Sequence, residues 1–199
     1  MIGRSAATVL ICLRMNNLKL SSAIALLTLL VALPLHAQER KRVSPHETVS
    51  ATIDGAQIKI VYGRPHTKDP KTSEVRKIWG GLVPYGEVWR MGADEATLLT
   101  TDKDLTIGGT KIPAGSYSLY LLPEESGAAK LLVNKQTGQW GTKHDEAQDF
   151  AKIDLKKAPL KNAVDQFTIE LEKGTGADGG MLRLQWEETE YSAPIQAAK

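Results

Sequence analysis

Apolar and polar residues alternate with a period of two along several short segments of the chain, which is typical of strands that bury one face. The segment 57–62 shows this period most clearly, and segments 165–172 and 181–187 repeat it. We expect the apolar residues of these three strands to share one buried core. They are Ile58, Ile60, Tyr62, Phe167, Ile169, Leu171, Leu182, Leu184 and Trp186.

Turn-forming dipeptides separate the alternating segments. Asp54-Gly55 and Gly108-Gly109 accept the positive φ of tight hairpin turns. Short strands joined by such turns predict an all-β fold, a single antiparallel β-sandwich that is jelly-roll-like or a partly closed barrel. One short helix is expected at 145–150 and a flexible loop at 175–180. Strands are predicted at 48–53, 57–62, 105–107, 111–112, 116–122, 130–134, 153–157, 165–172 and 181–187.

The first 37 residues have the pattern of a secretory signal peptide. Arg14 and Lys19 precede a mostly apolar segment, 20–35, and the small residue Ala37 follows it. A spanning helix needs about 20 apolar residues. We therefore predict cleavage after Ala37 rather than a membrane anchor, with Met15 as an alternative start. The protein is expected to be exported, periplasmic or extracellular, with no stable membrane span after processing.

A single domain is expected after processing. Residues 38–47 form an N-terminal tail, residues 48–193 the β-sandwich domain, and residues 194–199 a frayed end. No repeat or linker divides this region. A chain of about 160 residues buries roughly 70% of its unfolded surface, which is enough for a core without disulfides.

Charge and cysteine content exclude several classes of protein. The chain has 25 Lys and Arg against 23 Asp and Glu, and removing Arg4, Arg14 and Lys19 with the signal leaves 22 against 23. A nearly neutral domain without a basic cluster does not predict nucleic-acid binding. The one cysteine, Cys12, precedes the predicted cleavage position. The processed protein is therefore expected to lack disulfides and thiol chemistry.

A long loop rich in glycine and tryptophan spans residues 79–97. It contains two of the four tryptophans and four glycines, but only four charged residues. Surface loops are normally polar, so this composition indicates a loop that packs down on the domain. Such a loop is either a structural plug or the wall of a binding site. Its charged residues are Glu87, Arg90, Asp94 and Glu95.

Several motifs along the chain resemble the bacterial domain of unknown function 2911 family. The resemblance covers about residues 44–190, and it implies an exported, mostly β domain without an assigned activity. One departure is the segment 66–76, which resembles an insertion relative to the family pattern. The motifs are Ser-Pro-His at 44–46, Tyr-Gly-Arg-Pro at 62–65, Gly-Gly-Leu-Val-Pro-Tyr-Gly-Glu-Val-Trp-Arg at 80–90, Gly-Ala-Asp-Glu-Ala-Thr at 92–97, Ile-Pro-Ala-Gly-Ser-Tyr-Ser-Leu at 112–119 and Asn-Lys-Gln-Thr-Gly-Gln-Trp-Gly at 134–141.

The arginines and carboxylates of these motifs are the leading candidates for a site. A guanidinium offers a planar fork of donors that suits a carboxylate. In one interpretation, Arg90 pairs internally with Asp94 or Glu95 and pins the loop. In the other, the region binds a small polar, anionic or sugar-like ligand, with aromatic rings as stacking surfaces. The candidate ligand-binding residues are Arg64, Tyr85, Trp89, Arg90, Asp94 and Glu95.

A metal site is the alternative hypothesis. His46 precedes one strand of a predicted hairpin and His66 follows the other, so the hairpin brings their positions together. Glu47 or Glu95 could add an oxygen ligand. No His-x-His or His-Glu-x-x-His spacing supports such a site.

Catalysis has weaker support. The chain has no Gly-x-Ser-x-Gly motif, and the adjacent carboxylates Asp94 and Glu95 would point apart on an extended segment. We therefore predict a non-catalytic binding or envelope-associated module without a cofactor. Its partner is a small polar or anionic ligand or an envelope protein, and in the latter case the long loop serves packing alone.

Overall fold

The structure, a computed structural model, describes residues 42–175 and 179–198. These residues belong to one compact unit. The predicted signal peptide, part of the predicted tail and part of the loop at 175–180 lie outside the described residues. Within the described ranges, no helix is long and apolar enough to cross a membrane.

The described part of the chain is all-β, which confirms the predicted fold class. Its one helical segment is a 3-10 turn at Glu146–Gln148, within the predicted helix and capped by the side chain of Asp145. The strands are β1 His46–Ile53, β2 Ala56–Gly63, β3 Thr97–Thr101, β4 Leu105–Ile107, β5 Thr110–Ile112, β6 Gly115–Pro123, β7 Ala129–Asn134, β8 Asp149–Lys173 and β9 Gly180–Ala197.

The nine strands form one continuous antiparallel sheet in the order β1-β2-β3-β6-β7-β8-β9-β4-β5. The sheet does not close into a barrel, and the predicted division into a sandwich is not confirmed. One apolar cluster nevertheless joins the two halves of the strand order, because Ile58 and Ile60 of β2 belong to the same core as Leu184 and Trp186 of β9.

Strand β8 is much longer than the sequence pattern indicates. The two segments predicted at 153–157 and 165–172 belong to one strand of 25 residues. Its first part pairs with β7 and the rest with β9. Two register shifts, on either side of Val164, interrupt the second pairing. Bulges of this kind bend a strand without ending it, which explains how a single strand contains the apparent break around Pro159.

The C-terminal segment predicted to fray from residue 194 is instead part of β9 as far as Ala197. Ile195 pairs with Ile107 of β4 and is 1% exposed. Burial of this side chain and the backbone ladder to β4 hold the segment in the sheet.

Strand β3 does not follow from the sequence pattern, because three of its five residues are threonines. It lies between β2 and β6, where Thr97 and Thr101 are buried. The hydroxyl of Thr97 donates to the carbonyl oxygen of Met91 at 2.6 Å, which satisfies the buried polar group. This bond also ties the start of β3 to the long loop.

A close approach of backbones places the long loop against the end of β2. A Cβ atom at Gly63 would collide with the carbonyl oxygen of Ala93. A Cβ at Gly92 would lie 2.7 Å from the carbonyl oxygen of Gly63. Only residues without a side chain permit this contact. It fixes the segment that carries the candidate residues Arg90 and Asp94.

Candidate functional site

A cleft of about 680 Å³ is lined mainly by the long connection between β2 and β3. Its walls come from residues 43–44 and 141–142, from residues within the segments 65–76 and 88–94, from Leu82, and from Asp165 of β8. Small-molecule sites typically have volumes of roughly 300–1,000 Å³. The cleft is therefore large enough to hold such a ligand.

The wall at 66–76 is the segment that resembles an insertion, and it folds into a defined turn. The carboxylate of Asp69 accepts hydrogen bonds from the backbone N–H groups of Lys71 at 2.8 Å and Thr72 at 3.2 Å. These bonds lower the pKa of Asp69. The backbone N–H of Asp69 donates to the carbonyl oxygen of Glu74 at 2.8 Å and closes the turn.

Trp89 is both a core residue and part of the cleft wall. Its backbone exchanges two 2.8 Å hydrogen bonds with Leu121 of β6. Its ring meets Phe167 edge-on, with 5.0 Å between centroids, and stacks on Trp186 at 5.7 Å. The side chain is only 9% exposed. A ligand in the cleft would therefore meet Trp89 as a fixed apolar surface.

The side chain of Arg90 lines the cleft without an ion pair to any described residue. Its Nε donates to the carbonyl oxygen of Gly92 at 3.2 Å. A Cβ atom at Gly141 would collide with the Cβ and Cδ atoms of Arg90, so Gly141 packs directly on the arginine's aliphatic stem. Packing thus holds the side chain in place, while its terminal nitrogens form no hydrogen bond within the described ranges.

Residues 141 and 142, which form one wall of the cleft, lie near a polar cluster that begins at the end of β7. The amide nitrogen of buried Asn134 donates to Asp149 at 2.8 Å and to the carbonyl oxygen of Asp145 at 2.8 Å. His144 contacts the same Asp149 carboxylate at 2.8 Å. The backbone N–H of Gly141 then donates to the carbonyl oxygen of Asp94 at 2.9 Å, which joins the two walls.

Asp94 and Glu95 face the N-terminal segment rather than Arg90. His46 Nε2 lies 3.2 Å from an oxygen of Asp94 and 3.6 Å from one of Glu95. Arg42 donates to both carboxylate oxygens of Glu95, with 2.8 Å between Nη2 and Oε1. These hydrogen bonds are the main reason that the pKa of Glu95 lies below its ordinary value.

Three of the candidate ligand-binding residues, Arg64, Tyr85 and Glu95, do not line the cleft. Arg64 contacts Glu47 and also donates to the carbonyl oxygen of Phe167 at 3.1 Å and to the hydroxyl of Thr168 at 2.7 Å. Its guanidinium therefore joins β1 to β8. The ring of Tyr85 lies directly over Gly80, where an added Cβ would come within 2.7 Å of it.

The two histidines of the metal hypothesis make different contacts. His66 Nδ1 lies 2.9 Å from Asp165, and its Nε2 lies 3.2 Å from the side chain of Gln166. His46 is instead grouped with Asp94 and Glu95, and their ligand atoms all lie within 4.8 Å of one another. That group, rather than a His46–His66 pair, is the arrangement that could hold a metal ion.

Sequence reasoning missed several residues that line the cleft, among them Lys68, Arg76, Leu82 and Val88. Leu82 and Val88 are exposed apolar residues inside the loop at 79–97. The apolar composition of that loop was the sequence signal that could have identified them. The two basic residues lie in or next to the insertion-like turn. Nothing in a single sequence indicates that this turn forms a wall.

The fold and the cleft define an all-β domain with a small-molecule-sized site at the end of β2. The chain belongs to the family described as protein of unknown function (DUF2911), whose family model matches residues 44–195. This match confirms the resemblance drawn from the sequence motifs. No curated protein and no solved structure matches the chain.

The different contacts of Arg64 and Arg90 predict different costs of substitution. Arg64→Met removes two hydrogen bonds to β8 and the contact with Glu47, so we expect the free energy of unfolding to fall by roughly 3 kcal/mol. Arg90→Met keeps the packed stem and removes one hydrogen bond, so we expect a loss of about 1 kcal/mol. Urea unfolding of both variants measures the difference. Equal losses would contradict this assignment of structural and site roles.

The lowered pKa of Glu95 predicts a pH-dependent contribution to stability. A carboxylate with a depressed folded-state pKa stabilises the fold above its unfolded pKa and loses that contribution as pH falls through the folded pKa. We expect Glu95→Gln to lower the melting temperature at pH 7 and to have little effect once wild-type Glu95 is protonated. Glu87→Gln is the matched control, because Glu87 forms no ion pair with any described residue. A pH-independent difference would contradict the prediction.

Proposed function

We propose that this chain is an exported, non-catalytic binding module whose ligand occupies the cleft and contacts Arg90. The single observation that carries the proposal is an arginine that lines a cleft of about 680 Å³ and forms no ion pair among the described residues. Arginine is well suited to recognising ligand groups because its donors form a rigid planar fork.

The packing around Arg90 supports this role over a structural one. A purely structural arginine would pair with Asp94 or Glu95, but those carboxylates contact His46 and Arg42. Gly141 restricts the arginine's stem, so little side-chain freedom remains to be lost on binding. Such preorganisation lowers the entropic cost of ligand recognition.

Export and a role in the cell envelope are parts of the same proposal. The support for export is the basic, apolar and small-residue pattern of residues 1–37. A small polar or anionic ligand remains the preferred partner, and an envelope protein is the alternative.

Metal binding is a second candidate function. The observation that favours it is the grouping of His46 with Asp94 and Glu95, which offers one nitrogen and carboxylate oxygens as ligands. Arg42 contacts this group through His46 and Glu95, so a cation would have to compete with its guanidinium. This internal cation makes metal binding the less favoured function.

A thermal-shift screen tests the two candidates. The purified protein is measured with glucose, glucuronate, muramyl dipeptide, Zn²⁺, Ca²⁺ and EDTA, because any ligand that binds the folded state raises the melting temperature. We expect a rise with a polar or anionic probe that Arg90→Met abolishes. Lys161→Gln is the control, since Lys161 is exposed, forms no ion pair with a described residue and lies outside the cleft.

Two results would contradict the binding proposal. One is a ligand-induced shift that survives Arg90→Met unchanged, because the ligand would then bind elsewhere. The other is a loss of stability with EDTA that one metal restores and that His46→Gln removes. That result would favour the metal site instead.

A further inference from the structure

Exposed apolar residues are concentrated at the cleft. Among the described residues, six large hydrophobic side chains are exposed, and three of them line this cleft. They are Val43 at 63% exposure, Leu82 at 40% and Val88 at 38%. Trp89 adds a fourth apolar residue to the lining of the cleft. Exposed apolar surface gathered at one cleft is typical of a binding site rather than of random surface variation.

Basic side chains without carboxylate partners line the same cleft. Lys68, Arg76 and Arg90 form no ion pair with a described residue. The Arg76 guanidinium is held in place, because its Nη2 donates to the carbonyl oxygen of His66 and its Nε donates to that of Thr67 at 3.4 Å. These bonds leave its Nη1 without a hydrogen bond among the described residues.

The acidic residues of the cleft, in contrast, are already engaged. Asp69 accepts the backbone N–H groups of its own turn, and Asp94 contacts His46. Asp165 accepts from the hydroxyl of Thr67 and contacts His66. Asp94 and Asp165 therefore each have a histidine partner, whereas Lys68, Arg76 and Arg90 have no oppositely charged partner among the described residues. This excess of unpaired cations favours an anionic group.

We propose that the ligand of this cleft is an amphiphilic anion, with a carboxylate or phosphate head group and an apolar body. The head group contacts the guanidinium groups of Arg90 and Arg76. The apolar body lies against Leu82, Val88 and Val43. This inference rests on the proposed function, since it specifies the ligand class of the same cleft. A neutral sugar has no negative charge to pair with the guanidinium groups and no extended apolar body to cover the exposed apolar residues.

Four probes separate the parts of the inference. Decanoate and decyl phosphate carry both a head group and an apolar body, 1-decanol carries only the body, and acetate carries only the head group. All are used below their micelle concentrations, and binding to the purified protein is measured by calorimetry and thermal shift. We expect decanoate or decyl phosphate to bind at least about tenfold more tightly than 1-decanol and acetate. The stronger of the two identifies the head group.

Matched variants then locate the binding. Arg90→Met should weaken the anionic probe about tenfold and bring it close to 1-decanol. Leu82→Ser should weaken decanoate without improving acetate. Lys161→Gln should change neither. Each variant's urea unfolding is compared with that of the wild type, so that loss of folding is distinguished from loss of binding.

The outcomes distinguish this inference from the proposed function. Equal affinity for decanoate and 1-decanol, or binding unchanged in Arg90→Met, would overturn the amphiphilic anion. If neither anionic probe binds while muramyl dipeptide or glucose binds in an Arg90-dependent way, the inference is wrong and the binding module stands. If no probe binds in an Arg90-dependent way, both are contradicted.

Discussion

The packing of Trp89 into the core is the constraint on which the candidate site depends. Its ring contacts Phe167 of β8 and Trp186 of β9, which also contact each other, and its backbone pairs with Leu121 of β6. Aromatic contacts of this kind stabilise a core beyond simple area burial. Together with the close backbone approach of Gly92 to Gly63, this packing anchors the loop and holds Arg90, the residue after Trp89, at the edge of the cleft.

The electrostatic character of the cleft follows from how its acidic residues are satisfied. The N-terminal segment supplies Arg42 and His46 to the carboxylates that follow Arg90 in the loop. If Asp94 instead paired with Arg90, the cleft would lose a guanidinium that has no ion pair among the described residues. Arg42 and His46, the first residue of β1, thus engage these carboxylates and leave the Arg90 guanidinium available for a ligand.

The sequence predicted the all-β fold well where a strand has one buried and one exposed face. It failed where tertiary contacts override the local pattern, as in the threonine-rich β3 and in β8, which continues past Pro159 through register shifts. The same limit applies to the site. Glycine and tryptophan content identified the loop that contains Trp89 and Arg90. The role of Arg64 could not be predicted in this way, because its partners Phe167 and Thr168 lie more than 100 residues away in the sequence.

The Arg90 guanidinium has to be accessible if it binds a ligand, and chemical modification measures this accessibility. Phenylglyoxal reacts with accessible, unengaged guanidinium groups, and peptide mass spectrometry follows each arginine separately. We expect Arg90 in the native protein to react several times faster than Arg64, whose three nitrogens are all engaged. Equal protection of Arg90 and Arg64 would contradict this expectation, because Arg90 would then be a structural residue.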